Sequence, residues 1–540
     1  MPCFNGAPLT FIFVGGPNNC YHASRPQGSM QIMNGADLLL GSEALARNGS
    51  RIAFICGADQ VSFAELAERV RRAAGALAAL GVRPGDRVLV LMRDTAEFAA
   101  AWLGVVHAGA VAVALNNKLS EAEYRHILVD SGARLAIIED VFARARPDLT
   151  AELAREGRIA IAGAAGGLPA WREVQRDAPQ PAAFAAGPET PAFYLYSSGT
   201  TGRPKGIVHV HRSFRALGNA FHVIGLRAGE RVLTTSKFFF AFGLEHGLLA
   251  PLAHGVTSIL YPDWPEAQTV IDLVARHAPR AMFSVPTIYR RLLAEPAAHL
   301  APLRRVGHFV AGGERMSHQL IEQWHQAVGA EILNLYGMSE TFCACMMTLP
   351  GTSTGARTGQ PLQGVDVELR DEHGDKPAPR QAGVLWVRHP ALASGYANLP
   401  EQTRALFRDG WFCTRDIFVR DADGYFVHHG RADELVKVAG QFVQPGELEE
   451  VAAGESAVAE AACVPVPDVD GLERLALFVT AKDDSAAAQR AAADACERML
   501  PRHKRPKWIR AVDELPRTAT GKIQRFKLRE ILERELAGKG

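Results

Sequence analysis

The sequence predicts an α/β fold: a large N-terminal domain of helix-covered parallel sheets with a small β-rich subdomain, then a small α+β C-terminal domain. Three observations carry this. Helical and strand-like patterns alternate from residue 61 to about 360, which implies parallel sheets covered by helices. Past 360 the texture changes to short alternating strands with Asp-Gly and His-Gly turns. A last α/β stretch, 433–540, ends in a lysine- and arginine-rich tail.

Taken in order, residues 1–33 mix Pro, Gly, Asn and aromatics without periodicity and without the charged start of a signal peptide. They read as a disordered leader or an overlong start, with Met30 or Met33 as the functional beginning. Ser62 with Glu65 makes a capping box, and Leu66, Val70, Ala73, Leu77 and Leu80 follow at helical spacing until Gly81. Strand 87–92, helix 95–107 and strand 111–115 come next. Ser120 with Glu123 repeats the capping box before strand 134–139. Residues 141–190, rich in Ala, Gly and Pro, read as a looser surface excursion. Further on, 231–236, 281–285, 306–310 and 331–335 read as strands and 268–277 as a helix. The domains are accordingly expected at 34–431 and 432–540.

Composition narrows the function. Lys+Arg 59 against Asp+Glu 58 gives no basic or acidic face for a nucleic-acid or membrane-surface partner. No apolar run reaches the ~18 residues of a membrane span. The eight cysteines contain no Cys-x-x-Cys pair. Cys343-Ala344-Cys345 and His209-Val210-His211 each lack the second half of a metal site, so a reducing cytoplasm is the expectation. Oligomeric state stays open between monomer and homodimer.

The densest chemistry lies at 197–206, Ser-Ser-Gly-Thr-Thr-Gly-Arg-Pro-Lys-Gly. Apolar runs flank it on both sides, so it joins two strands or a strand and a helix. Its backbone N–H groups and hydroxyls can point inward together around a polyphosphate, and Lys205 adds a point charge. It is not a Walker loop. Counted from Gly199, the place for the second glycine falls on Pro204, and Lys205 is followed by Gly206. Two more turns, Ala311-Gly312-Gly313-Glu314 and Tyr336-Gly337-Met338-Ser339-Glu340, close predicted strands at their C-terminal ends, where open parallel sheets bind ligands.

The stretch 196–206 resembles the phosphate-binding signature of the adenylate-forming superfamily of acyl- and aryl-CoA synthetases, and its companions follow in the superfamily's order. The resemblance implies ATP, Mg²⁺ and coenzyme A as reaction partners. It implies that Ser197, Ser198, Gly199, Thr200, Thr201, Gly202 and Lys205 grip the phosphates, and that Gly312, Gly313, Glu314 and Tyr336 lie against adenine. Gly337 and Ser339 belong to the same ATP-binding turn. Glu340 is the implied Mg²⁺ ligand, a carboxylate for a hard cation. Asp416, in Gly-Trp-Phe-Cys-Thr-Arg-Asp, matches the ribose-binding acid, and Arg431 the phosphate-contacting arginine. Asp433 matches the hinge of a mobile C-terminal domain. Lys437, Gly440 and Gln441 match the coenzyme A passage, and Lys522 the catalytic lysine, acting with Glu340 and Arg431.

Residues 237–244, Lys-Phe-Phe-Phe-Ala-Phe-Gly-Leu, suit any core, yet they resemble the pocket segment of benzoate- and hydroxybenzoate-CoA ligases. That resemblance implies aromatic walls over Ala241, Phe242 and Gly243, with Gly337 adjoining and Phe342 shortening the slot. The implied substrate is a small aromatic carboxylic acid. Two other readings remain: a ligase for a short-chain or alicyclic acid or for an aryl carrier protein, and a non-catalytic nucleotide-binding regulator. Intact Lys522, Glu340 and Asp416 argue against the regulator.

Overall fold

The computed structural model describes residues 33–198, 203–314, 316–353, 357–438, 441–468, 472–517 and 523–537. Met33 is already buried, its amide donating to the Ala186 carbonyl. Both predicted capping boxes form: Ser62 starts the helix Phe63–Ala79 and Ser120 starts Glu121–Ser131, each exchanging hydrogen bonds with the glutamate three residues on. Gly81 ends the first helix region with φ +77°, a conformation that costs glycine little.

Two sheets organise the N-terminal region. The seven-stranded sheet runs in the order Gly395–Tyr396, Pro204–Val210, Pro191–Ser198, Val111–Ala114, Arg87–Leu91, Leu135–Glu139, Ile159–Ala162. Its centre is parallel, as the helical crossovers require, and the hairpin at one edge is antiparallel. The nine-stranded sheet places Ile332–Tyr336, His308–Gly312, Ala281–Ser284, Arg231–Thr234 and Thr257–Leu260 side by side, all parallel. Strands buried on both faces read as apolar runs, which is why they were legible. A third, antiparallel sheet is built from Asp366–Arg370, Gly383–Arg388, Phe407–Arg408, Trp411–Arg420 and Phe426–Arg431.

One expectation is corrected here. Residues 141–190 are mostly regular: Pro147–Arg155 is a helix, Ile159–Ala162 an edge strand, and Trp171–Arg176 a helix that buries Trp171 completely. Alanine, which made the stretch look loose, is the strongest helix former. Toward the C-terminus, Val458–Pro467, Glu473–Ala481 and Trp508–Ala511 form a separate sheet. Its two apolar clusters run from Val436 to Leu532, and none of their members belongs to the clusters that end at Phe426. Among the described residues no helix is long and apolar enough to cross a membrane.

Candidate active site

The stretch 197–206 joins two antiparallel strands, with Ser197 paired to Lys205 and Ser198 to Pro204. The tip, Gly199 to Gly202, lies outside the described residues, as do Gly440, Lys522 and the side chains of Ser198, Lys437 and Gln441. The root of the hairpin is firmly held. Tyr196 Oη donates to Asp130 Oδ2 at 2.7 Å, and Asn398 Nδ2 donates to the Asp130 carbonyl and carboxylate. Lys205 Nζ stands 3.4 Å from Glu340 Oε1 and 3.9 Å from the centre of the Tyr396 ring. Burial lowers the Lys205 pKa and Glu340 opposes that shift.

Glu340 is held from several sides. Tyr396 Oη donates to Oε1 at 2.8 Å, and the Ala393 amide donates to its carbonyl. The preceding Ser339 carbonyl accepts from His209 Nε2 at 2.8 Å, and His209 stacks on Phe193. These contacts aim a single carboxylate, 14% exposed, into the mouth beside Lys205. No group of three or more His, Cys, Asp or Glu suited to a metal occurs among the described residues. One carboxylate next to a phosphate grip fits Mg²⁺, which keeps its waters and takes the rest of its ligands from substrate phosphates.

The two glycine turns are neighbours because their strands are. Gly312 pairs with Leu335, so Gly313, at φ +83°, and Gly337 leave adjacent strands at the same sheet end. Glu314 accepts from Thr287 Oγ1 at 3.0 Å. Tyr336 Oη donates to Asp416 Oδ2 at 2.5 Å, tying the second glycine turn to the antiparallel sheet. Asp416 is buried, and its other oxygen faces Arg431 Nη1 at 3.4 Å and His428 Nε2 at 3.6 Å. Strand register sets Asp416 opposite Arg431. Arg431 also grips Asp433 through two bonds of 2.9 and 3.0 Å.

The aromatic segment divides. Phe238 and Phe239 are core residues, and Lys237 is buried with Nζ donating to the Tyr261 carbonyl at 2.7 Å and lying 3.6 Å from Asp94. Only Phe240, Ala241 and Phe242 keep partial exposure. A Cβ on Gly312 would stand 2.8 Å from Phe242 Cε2, so the glycine permits Phe242 to press against this turn. Gly243 is packed on the Lys237 carbonyl, and a Cβ on Gly337 would meet Ala344 at 3.3 Å. Phe342 is buried. Its backbone turns to φ +58°, and the ring goes into the core, edge-on to Phe193 at 4.9 Å and beside His209. It is 3% exposed, and the ring packs behind the Glu340 turn.

Sequence reasoning missed Tyr396, Asp130, His209, Glu245 and His246. For His209 and His211 a signal existed: two residues apart on a strand, they share one face. They are packing and positioning groups; His211 Nδ1 accepts from the Gly35 amide at 2.9 Å.

These histidines make a testable pH term. Burial pulls His209 down to about 3, and His211, His246 and His389 to about 4, from an ordinary 6.5. Unfolded, the four take up protons below that value; folded, they do not until far lower pH, so their stabilisation is complete above 6.5 and lost as pH falls. Burial raises Asp94 to about 6 and Glu245 to about 8, which opposes the trend with one proton each, leaving four against two. The melting temperature is expected to drop between about pH 6.5 and about pH 4.5. A flat melting profile over that interval would show that these rings are hydrated in the folded state.

The fold and the mouth between the two sheets define a nucleotide-binding enzyme. Residues 42–397 match the model of the AMP-binding enzyme family and 447–522 that of the AMP-binding enzyme C-terminal domain, and the chain belongs to this family. It is 38% identical over 515 residues to a 3-hydroxybenzoate–CoA/4-hydroxybenzoate–CoA ligase of Thauera aromatica, covering 94% of this chain and 98% of that one. It is 34% identical to a benzoate–CoA ligase of the same organism, covering 92% and 95%. Among solved structures, a benzoate CoA ligase from Burkholderia xenovorans LB400 superposes with a TM-score of 0.82 at 33% identity, covering 92% of this chain and all of that one.

Proposed function

We propose that this AMP-forming acid–CoA ligase adenylates a benzoate-type carboxylic acid with ATP and passes the aroyl group to coenzyme A, releasing AMP and pyrophosphate. The observation that carries the reading is the convergence of Lys205, Glu340, Asp416 and Arg431 on one mouth, with Phe242 pressed against Gly312 at its side. The similarity to hydroxybenzoate and benzoate ligases along nearly the whole chain supports the aromatic substrate.

The chemistry follows from the groups present. A carboxylate is a poor electrophile, and joining it to the α-phosphorus of ATP gives it AMP as a leaving group. The protein need only align the two and neutralise charge, so it requires cations and donors and no protein nucleophile. Lys205 and the hairpin tip hold the outer phosphates; Asp416 receives the ribose hydroxyls, and Tyr336 orients that carboxylate. Mg²⁺ on Glu340 would neutralise phosphate charge during transfer. Arg431 stands between Asp416 and Asp433, so the phosphate contact is linked to the junction we assign as the hinge between 34–431 and 432–540. Rotation there exchanges Lys522, which serves adenylation, for Lys437, Gly440 and Gln441, which line the thiol's approach. A reducing cytoplasm suits the thiol substrate and the six free cysteines among the described residues.

Pyrophosphate release over benzoate, hydroxy- and aminobenzoates, heteroaryl acids, phenylacetate and short fatty acids tests the reading, with and without coenzyme A. Fastest release is expected with the benzoates, with multiple turnovers only when coenzyme A is present. Release confined to fatty acids would overturn it.

A further inference from the structure

Strand Trp411–Arg420 is bulged beside the mouth. Trp386 pairs with Cys413 and Val384 with Ile417, so Thr414, Arg415 and Asp416 together face the single residue Leu385. Thr414 Oγ1 pins the bulge, donating to the Leu385 carbonyl at 2.8 Å and accepting from the Asp416 amide at 3.0 Å. The middle residue, Arg415, is held at φ +61°. Left-handed backbone is strained for a long side chain, and such strain persists at sites that use it. Bulges likewise re-aim a side chain next to an active site.

What the bulge delivers is a guanidinium. On the strand's other edge the pairing with Phe426–Arg431 begins at Asp416 opposite Arg431, so Arg415 stands just beyond it, where that hairpin gives way to Asp433. Arg415 Nη1 is 4.0 Å from Asp433 Oδ2, beyond a hydrogen bond, and Arg431 already takes both oxygens of that carboxylate. The Arg415 side chain is 42% exposed and makes no hydrogen bond among the described residues. Its charge nevertheless reaches into the mouth. Burial is the main cause that lowers the Lys205 pKa, and the charges of Arg415 and Arg431 lower it further. Like charges gathered in this way are costly until an anion joins them.

We propose that Arg415 binds the α-phosphate, the one phosphate that ATP, the acyl-adenylate and AMP share. The inference rests on the placement of ribose at Asp416 and of the outer phosphates at Lys205 given above. A cation that is the chain neighbour of the ribose acid and lies in the field of Lys205 falls at the phosphate joining the two. A guanidinium suits that position, because it meets two phosphate oxygens with two N–H groups and stays charged. Its part differs from those of Lys205 and Lys522. Pyrophosphate leaves after adenylation and Lys522 withdraws on the proposed rotation, whereas the α-phosphate remains until AMP departs. Arg415 therefore serves both half-reactions, and in the second it stabilises the charge that collects on AMP as the thiol displaces it.

The test is calorimetric titration of the full chain with AMP and with adenosine, in the absence of acid and coenzyme A, so it does not depend on which acid the enzyme takes. Arg415→Gly is expected to weaken AMP at least about tenfold while adenosine stays within about twofold, because only the phosphate contact is lost. The unliganded variant is expected to melt no lower than the wild type, since glycine adopts the left-handed backbone without strain. Arg415→Asn, uncharged and tolerant of that backbone, supplies the same comparison if Arg415→Gly misfolds. In the coupled assay Arg415→Gly is expected to slow thioester formation from a supplied aroyl-adenylate as well as adenylation, which Lys522→Ala is not. An AMP-to-adenosine affinity ratio unchanged in the folded variant, or equal weakening of both ligands, overturns the inference and leaves the ribose placement standing. Asp416→Asn is the control for that placement: it is expected to weaken both ligands, and adenosine binding untouched by it overturns the placement and the inference together.

Discussion

Glu340→Ala is expected to slow adenylate formation by about 10²-fold or more and to raise the Mg²⁺ concentration needed for half-maximal rate. Two effects add. The substitution removes the carboxylate beside Lys205 that we propose as the Mg²⁺ ligand, and it leaves Lys205 without its partner at 3.4 Å and Tyr396 Oη without its acceptor at 2.8 Å. Lys205 is already pushed toward its neutral form by burial, and Glu340 is what opposes that. Losing the carboxylate frees Lys205 Nζ for phosphate but also lets burial push it further toward its neutral form, and these opposed effects on ATP binding should leave it less impaired than turnover, which loses the proposed Mg²⁺ ligand outright. The expected signature is therefore a fall in kcat larger than the rise in KM for ATP. Glu340→Gln keeps the Tyr396 bond and removes the charge, and separates metal binding from packing. A metal-saturation curve unchanged in both variants would sink the Mg²⁺ role.

What the sequence could and could not disclose follows from the range of the interactions. The strands ending at Gly312 and Tyr336 were readable because strands buried on both faces are apolar runs, and turn glycines mark where they stop. The phosphate hairpin was readable from its own ten residues. Tyr396 and His209 were not, because their roles depend on contacts to Glu340 and Ser339 more than 50 residues away, |i−j| being 56 and 130. Phe342 illustrates a local effect. Its place in the chain, two residues past Glu340, suggested the slot, and nothing in the sequence announced the left-handed backbone at φ +58° that packs the ring against Phe193 and His209. Chain position fixes neighbourhood, and a single unusual dihedral decides the face. Glu245 and His246 gave no periodic signal at all. Every residue from Gly243 to Leu252 is buried, so the segment has no solvent face to set an amphipathic rhythm, and its π-helical turn departs from the 3.6-residue period on which such reading depends.

Lys522→Ala is expected to separate the two half-reactions. Adenylate formation should fall by about 10²- to 10³-fold, since the lysine is assigned to the charge that builds as the carboxylate reaches phosphorus and no other step uses it. Thioester formation from a supplied aroyl-adenylate and coenzyme A should stay within about threefold of the wild type, well inside the roughly 2 kcal/mol or more that loss of a reacting group costs. The reason for the asymmetry lies at Arg431 and Asp433. A bidentate pair next to the last strand of the antiparallel sheet gives the chain a fixed lever there, and the C-terminal clusters beginning at Val436 form a body with its own core. A body of that kind can present one face for adenylation and another for thiol attack, and on the proposed rotation Lys522 serves only the first reaction. Equal losses in the two assays would mean that Lys522 supports the fold or both transition states, and the assigned division of labour would have to be abandoned. Asp433→Pro is the companion measurement. Proline would remove the freedom of rotation, so it should leave adenylate formation close to the wild type and slow thioester formation from a supplied aroyl-adenylate together with the complete reaction.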